Sequence, residues 1–320
     1  MSEQINIRGT QQAREMAPMP VKPTIIIGVG GSGGNILLRT RKRFFERYGA
    51  LNNFPIISYL WLDTDATEKD VEAGVFAEQI RFSISEKVMT TMADTTRITN
   101  HLNQYPHIKR WFYPGLSKLK TMTEGAGQIR AYARLGFFEH FDEVRNALLT
   151  ASAQVRNVEN SRYMQEKHHM EVNPADLQIF VIFSLAGGTG SGMFLDLAFL
   201  IKELFRGEAT TVGWVLMPGL FNPNEDRIFA NGYAGLKELE HYSYGHDFEV
   251  EWPDGRYRRD PGIPGPPFNY TYLIDRINQS SHEVKFTNHE IIFNMVAENI
   301  FKDFTQSDFA GYKRGVRVNL

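Results

Sequence analysis

Two short stretches carry the residues most suited to chemistry. Residues 28–35 read GVGGSGGN and residues 186–192 read AGGTGSG, each directly after an apolar run. Glycine exposes bare backbone amides, and amides at the start of a helix bind anions, phosphate above all. Five glycines in eight positions are too dense to be set by packing, so a ligand is expected to press against the backbone of the first box. That box also parses as Gly28-x-Gly30-x-x-Gly33, the dinucleotide fingerprint, with Asp63 as the acidic residue at the end of the next strand. The second box changes this reading, because a dinucleotide fold has no use for a second phosphate loop in one sheet. Two loops on neighbouring strand ends would wrap one polyphosphate from both sides, with Thr189 and Ser191 adding hydroxyl donors. The pattern G-x-x-x-x-G-K-[ST] is absent, so the expected cradle has no lysine.

Other chemistries find less support. The chain has no cysteine, which excludes disulfides, cysteine-ligated zinc and thiol catalysis. His168 and His169 are adjacent, point in different directions in any regular element, and read as surface residues rather than metal ligands; no metal set is assigned. Gly30-x-Ser32-x-Gly34 matches a nucleophile elbow in letters only, its serine being assigned to phosphate. The basic run RTRKRFFER reads as the wet face of a helix, and 35 basic against 37 acidic residues leave a net charge of −2. Neither favours nucleic acid as a partner. The N-terminus lacks an apolar signal segment, and no run of 18 apolar residues exists. No membrane span is expected, and a cytoplasmic setting fits.

The elements that must position these boxes follow from apolar patterning. Thr24–Gly28 is a buried strand, residues 35–49 a helix closed by Gly49, and PIISYLWLDTDA a second strand: a right-handed βαβ unit. Residues 67–120 mix helix and loop. EGAGQIRAYARLGFFEHFDEVRNALL runs from a glycine loop into an amphipathic helix, and SRYMQEKHHMEVNPAD is an exposed excursion. Buried strands are expected at LQIFVIFS, TTVGWVLMP and YTYLID, with helices at residues 192–205, 227–243 and 288–304, and a hairpin near 253–255. The result is an α/β three-layer sandwich around a mostly parallel sheet. Residues 1–20 read as a flexible tail, 21–287 as a nucleotide-binding domain, and 288–320 as a long helix with the start of the following loop.

AGGTGSG resembles the GGGTG[ST]G signature of the tubulin/FtsZ superfamily, and GVGGSGGN resembles the first glycine loop of the cell-division GTPase FtsZ. The order is also similar: first loop, DTDA after the second strand, GAG before a helix, then the signature loop. The overall sequence departs from tubulin and from FtsZ, so a divergent bacterial tubulin-like protein is expected.

The resemblance implies a GTP/GDP site with Mg²⁺ and head-to-tail self-association into filaments. It assigns Gly30, Gly31, Ser32, Gly33 and Gly34 to the phosphates, and Asn35 to the base or to a helix cap. Asp63 and Asp65 fall near phosphate and metal. Gly125, Ala126 and Gly127 match a γ-phosphate-sensing loop, with Arg134 on the next helix; Gly187, Gly188, Thr189, Gly190 and Ser191 form the signature loop. Glu225 and Arg227 match a sugar-contacting pair, although two apart rather than four. Asn278 is a base candidate, and Phe286 and Glu290 have the spacing of the long helix's aromatic and base-reading residues. Family hydrolysis uses an N-x-D-x-x-D-like loop just past the long helix, delivered to the next subunit's nucleotide. Asn319 is taken as its start, with the acidic residue and the second domain expected beyond Leu320. A Rossmann-type oxidoreductase using NAD or FAD at Gly28, Gly30, Gly33 and Asp63 remains the alternative, as does a nucleotide-binding scaffold that does not hydrolyse.

Overall fold

A computed structural model describes residues 19–67, 77–116, 121–221, 225–254, 262–278, 284–286 and 288–318. Six parallel strands form the central sheet: β1 (Thr24–Val29), β2 (Ile57–Asp63), β3 (Lys87–Met89), β4 (Leu177–Ser184), β5 (Ala209–Leu216) and β6 (Tyr270–Ile274). Their spatial order is β3-β2-β1-β4-β5-β6, so the order reverses between β1 and β4. That reversal opens a crevice beyond the strand ends, the usual ligand position in open α/β sheets.

β1 and β4 are buried at every residue because helices cover both faces of the sheet. Ile25, Ile27 and Val29 face one core, with α2 (Arg130–Glu139), α3 (Phe141–Val155) and α5 (Thr189–Phe205). Ile26 and Trp61 face the other, with α1 (Gly30–Tyr48) and α7 (His289–Thr305). The expected three-layer α/β architecture is what the chain adopts. α6 (Asp226–Ser243) follows β5 and packs on the loops at the strand ends.

Several local expectations give way. α1 begins at Gly30, six residues before the apolar periodicity that starts at Ile36 and Leu37, so most of the first glycine box is the opening turn of a helix and not a loop. The expected exposed excursion is a helix, α4 (Val158–His168), followed by Met170–Val172, which pairs in parallel with Met19–Val21. Met19 and Pro20, assigned to the tail, therefore lie in a strand; residues 1–18 lie outside the described residues, as does Gly255 of the expected hairpin. The single helix expected after the third glycine loop is two, α2 and α3, broken at His140. His168 is half-buried and donates through Nε2 to the Asn53 carbonyl at 2.8 Å, a structural tie. After α7 the chain turns at Gln306 and enters a further helix, α8 (Ser307–Val318), where the start of a loop was expected.

Candidate nucleotide site

The two glycine boxes meet. A cavity of about 250 Å³ at the β1–β4 reversal is lined by Gly30, Gly31 and Ser32 at the start of α1, by Ala186–Gly190 at the start of α5, and by Gln128 and Phe221. The N-termini of α1 and α5 thus open onto one space. Their first-turn amides lack intrahelical acceptors and carry the positive end of each helix dipole. No lysine or arginine lines the cavity among the described residues.

The glycines divide into two kinds by what a Cβ would meet. At Gly28 it would lie 2.6 Å from the Gly33 carbonyl carbon, at Gly33 2.5 Å from the Ile182 carbonyl oxygen, and at Gly34 2.6 Å from the Trp61 indole nitrogen. These residues let α1 sit directly on β1, β2 and β4. Gly190 is likewise packed: a Cβ there would lie 2.7 Å from the Ser184 carbonyl oxygen. Close packing therefore does set part of the glycine density, contrary to the expectation from the sequence, and Gly33 and Gly34 are buried away from the cavity. Gly187 is of the other kind. A Cβ there meets no atom of the described residues within 4 Å, and its φ lies outside the left-handed region. Nothing among the described residues demands glycine at 187, yet it lines the cavity.

The remaining assigned residues sort by position. Thr189 lines the cavity, and its hydroxyl donates to Asp63 Oδ1 at 3.2 Å and lies 2.7 Å from the Thr64 hydroxyl. Thr64 in turn accepts from the Ala126 amide at 3.0 Å. Asp63 is only 2% exposed and also accepts from the amides of Thr64 and Asp65. With Thr64 it forms a buried post that ties β2, the 125–128 loop and α5 together, an arrangement unlike an acidic residue reaching a ribose in dinucleotide fashion. Asp65 caps its own turn by accepting from Thr67. Gly125 and Gly127 have left-handed φ values of +95° and +56°, and Gly188, whose backbone lines the cavity, would point a Cβ at Ala126 and Gln128. From that loop Gln128 is the lining residue, itself at φ 59°, a rare conformation for a side-chain-bearing residue.

Three further assigned residues, Ser191, Arg134 and Asn35, do not line the cavity. Ser191 is 1% exposed and donates to the Asn231 carbonyl at 3.4 Å, turned from the cavity because its carbonyl and side chain pack against α2 and α6. Arg134 pairs with Asp196 through Nε and Nη2 at 2.7 and 3.1 Å and stacks over Trp111, in a separate pocket behind the first turn of α5. Asn35 is no cap: the N-cap position of α1 is Val29, which makes no side-chain capping bond, and the Asn35 amide donates to the Gly31 carbonyl at 3.1 Å while its oxygen accepts from Arg39.

Glu225 accepts from Gln128 Nε2 at 3.0 Å, and Arg227 donates to the Gly127 carbonyl at 3.2 Å, so this pair braces the third loop. Phe221 packs on His289 at the start of α7, where Glu290 forms an ion pair with Arg39. Asn278 sits in a two-stranded pairing with Val284–Lys285, and Phe286 packs with the core on the α1/α7 face. Asn319 lies outside the described residues. Among these residues no cluster of three acidic or histidine side chains offers a ready metal site, and no helix is long and apolar enough to cross a membrane. Sequence reasoning missed Asn231, which joins the loops from α6; a lone Asn amid helix-forming residues gave no signal.

The chain resembles solved structures at low identity. It aligns with CetZ from Methanosaeta thermophila strain DSM 6194 (15% identity, TM-score 0.47, 88% of this chain and 53% of that one). It also aligns with a GTPγS-form TubZ protofilament of Bacillus thuringiensis serovar israelensis (12%, 0.46, 89% and 56%) and with a mutant FtsZ of M. jannaschii (16%, 0.43, 88% and 55%). The chain thus spans little more than half the length of these structures. No curated protein matches the sequence. A protein-family model described as tubulin like matches residues 25–320, nearly the whole chain. The chain belongs to the tubulin-like family.

Proposed function

We propose that the chain is the nucleotide-binding module of a self-assembling, tubulin-like GTPase. The observation that carries this reading is the convergence of two helix N-termini on one cavity, with Gly187 left bare at its wall. Such a cradle binds phosphates through amides and helix dipoles. The oxidoreductase alternative falls away, because its acidic residue, Asp63, is buried against Thr64, Asp65 and Thr189.

A triphosphate in this cavity needs positive charge that the described lining residues lack, so a divalent cation suits the site. The Thr64 and Thr189 hydroxyls and the Asp65 carboxylate are hard oxygen donors of the right kind, directly or through water. Mg²⁺ would neutralise the phosphate oxygens. The protein's own part is to hold the phosphates against Gly31, Ser32 and Gly187 and to keep the third loop closed over them.

The base end is proposed at Phe221, His289 and Glu290, where a carboxylate would accept both N–H groups of a guanine edge once released from Arg39.

Hydrolysis is proposed to need a second subunit. α7 ends at Thr305, so the segment just past it is Gln306–Asp308, and Asn319 is too far along. Residues 306–311 read QSDFAG: against the N-x-D-x-x-D pattern, Asp308 keeps the first acidic position and Gly311 replaces the second. α7 starts beside Phe221, and 16 residue steps put Asp308's end roughly 24 Å away. Asp308 therefore cannot serve its own cavity and would polarise water at a neighbour's nucleotide, in head-to-tail assembly. Calorimetric titration with GTP, ATP and NAD in Mg²⁺ tests the binding claim; a preference for ATP or NAD of more than tenfold would defeat it.

A further inference from the structure

Asn231 lies on the second turn of α6 and is 8% exposed. Its amide nitrogen donates to two carbonyls from different loops: Ala186 at 3.1 Å and Gln128 at 2.9 Å. Its own backbone carbonyl accepts from Ser191 Oγ at 3.4 Å. Small residues let α6 come this close. A Cβ at Gly235 would press on Leu185 and lie 3.2 Å from Ser191 Oγ, and one at Gly232 would collide with the Pro218 ring.

The consequence lies in the peptide plane. In a trans peptide the carbonyl and the following N–H point to opposite sides. Pulling the Ala186 carbonyl toward Asn231 aims the Gly187 N–H away from Asn231, and Gly187 lines the cavity whereas Asn231 does not. The same carboxamide holds Gln128 in its positive-φ conformation through the Gln128 carbonyl, while Gln128 Nε2 is held by Glu225. One side chain thus fixes both walls between which a phosphate would sit.

We infer that Asn231 is a positioning residue for phosphate, acting through the Gly187 amide, which it orients without touching the ligand. This rests on the proposed nucleotide reading of the cavity. The test is a double-mutant cycle on the 320-residue chain with Asn231→Ala and Gly187→Ala, measuring GTP affinity in Mg²⁺ and thermal unfolding of each ligand-free variant. Asn231→Ala should weaken GTP about tenfold, the factor that one charge-assisted hydrogen bond commands. In the Gly187→Ala background, where the added methyl already keeps phosphate off that amide, the same change should cost less than about twofold. If Asn231→Ala does not fold, Asn231→Ser, which keeps one donor, replaces it in the cycle. Additive losses of affinity, or a loss that merely follows the fall in Tm, would overturn the inference. Absence of GTP binding by the unmutated chain would instead remove the nucleotide reading on which it rests.

Discussion

Gly187→Ala separates a ligand-driven glycine from a packing-driven one. Among the described residues the added Cβ meets no atom within 4 Å, and the backbone is outside the left-handed region, so no new strain is expected in the folded state. Removing glycine's freedom from the unfolded chain should then stabilise the protein by about 0.4–1 kcal/mol, a Tm rise of about 1–3 °C in a chain of this size. Binding should move the other way. The methyl occupies the space through which a phosphate oxygen reaches the Gly187 amide, and losing that charge-assisted bond costs about 1.5–3 kcal/mol, or roughly 10- to 150-fold in Kd. Differential scanning fluorimetry of the ligand-free protein and titration with a fluorescent GTP analogue give the two readings. Stability and affinity moving in opposite directions is the signature expected. Affinity unchanged beside normal stability would show that no ligand approaches Gly187, and a fall in stability would show that the wall is not open.

Gly33→Ala should do the reverse, forcing a Cβ to 2.5 Å from the Ile182 carbonyl oxygen and costing about 1–3 kcal/mol or more in unfolding experiments through overpacking. Thr189→Ala removes the hydroxyl bridge between Thr64 and Asp63; urea melts should show a loss of about 1–2 kcal/mol, and GTP titration a weaker complex as the third loop loosens. Arg134→Ala strands the buried Asp196 carboxylate and should cost about 3 kcal/mol in the same melts, while GTP affinity of the folded protein stays within twofold. Steady-state phosphate release should rise more than linearly with protein concentration, and Asp308→Asn should suppress it while leaving GTP affinity of the dilute chain intact; linear release unaffected by the substitution would refute hydrolysis in trans.

The strands that set the architecture were legible because β1, β2, β4 and β5 each carry a near-continuous apolar run, the mark of a sheet covered on both faces. β3 is three residues long, too short for any periodicity to emerge. The start of α1 was obscured by glycine's poor helix propensity, which close packing of Gly33 and Gly34 against the sheet overrides. Residues of both glycine boxes line one cavity, but composition could not tell Gly33, pressed on Ile182, from Gly187, open to the cavity. Ser191 and Arg134 illustrate the same limit, since their orientation depends on Asn231 and Asp196, partners remote in sequence. The position past α7 was misjudged because α8 follows after one residue, and the short break at Gln306 leaves no apolar gap to read.

A triphosphate is proposed to lie between the N-termini of α1 and α5. Crystals grown with GTPγS and Mg²⁺ test it most directly. Phosphate density is expected within hydrogen-bonding distance of the amides of Gly31, Ser32 and Gly187, with no lysine or arginine of the same subunit among the contacts made by Ala186–Gly190. Nucleotide bound elsewhere, or phosphates seated in the separate pocket beside Arg130 and Arg134, would contradict it.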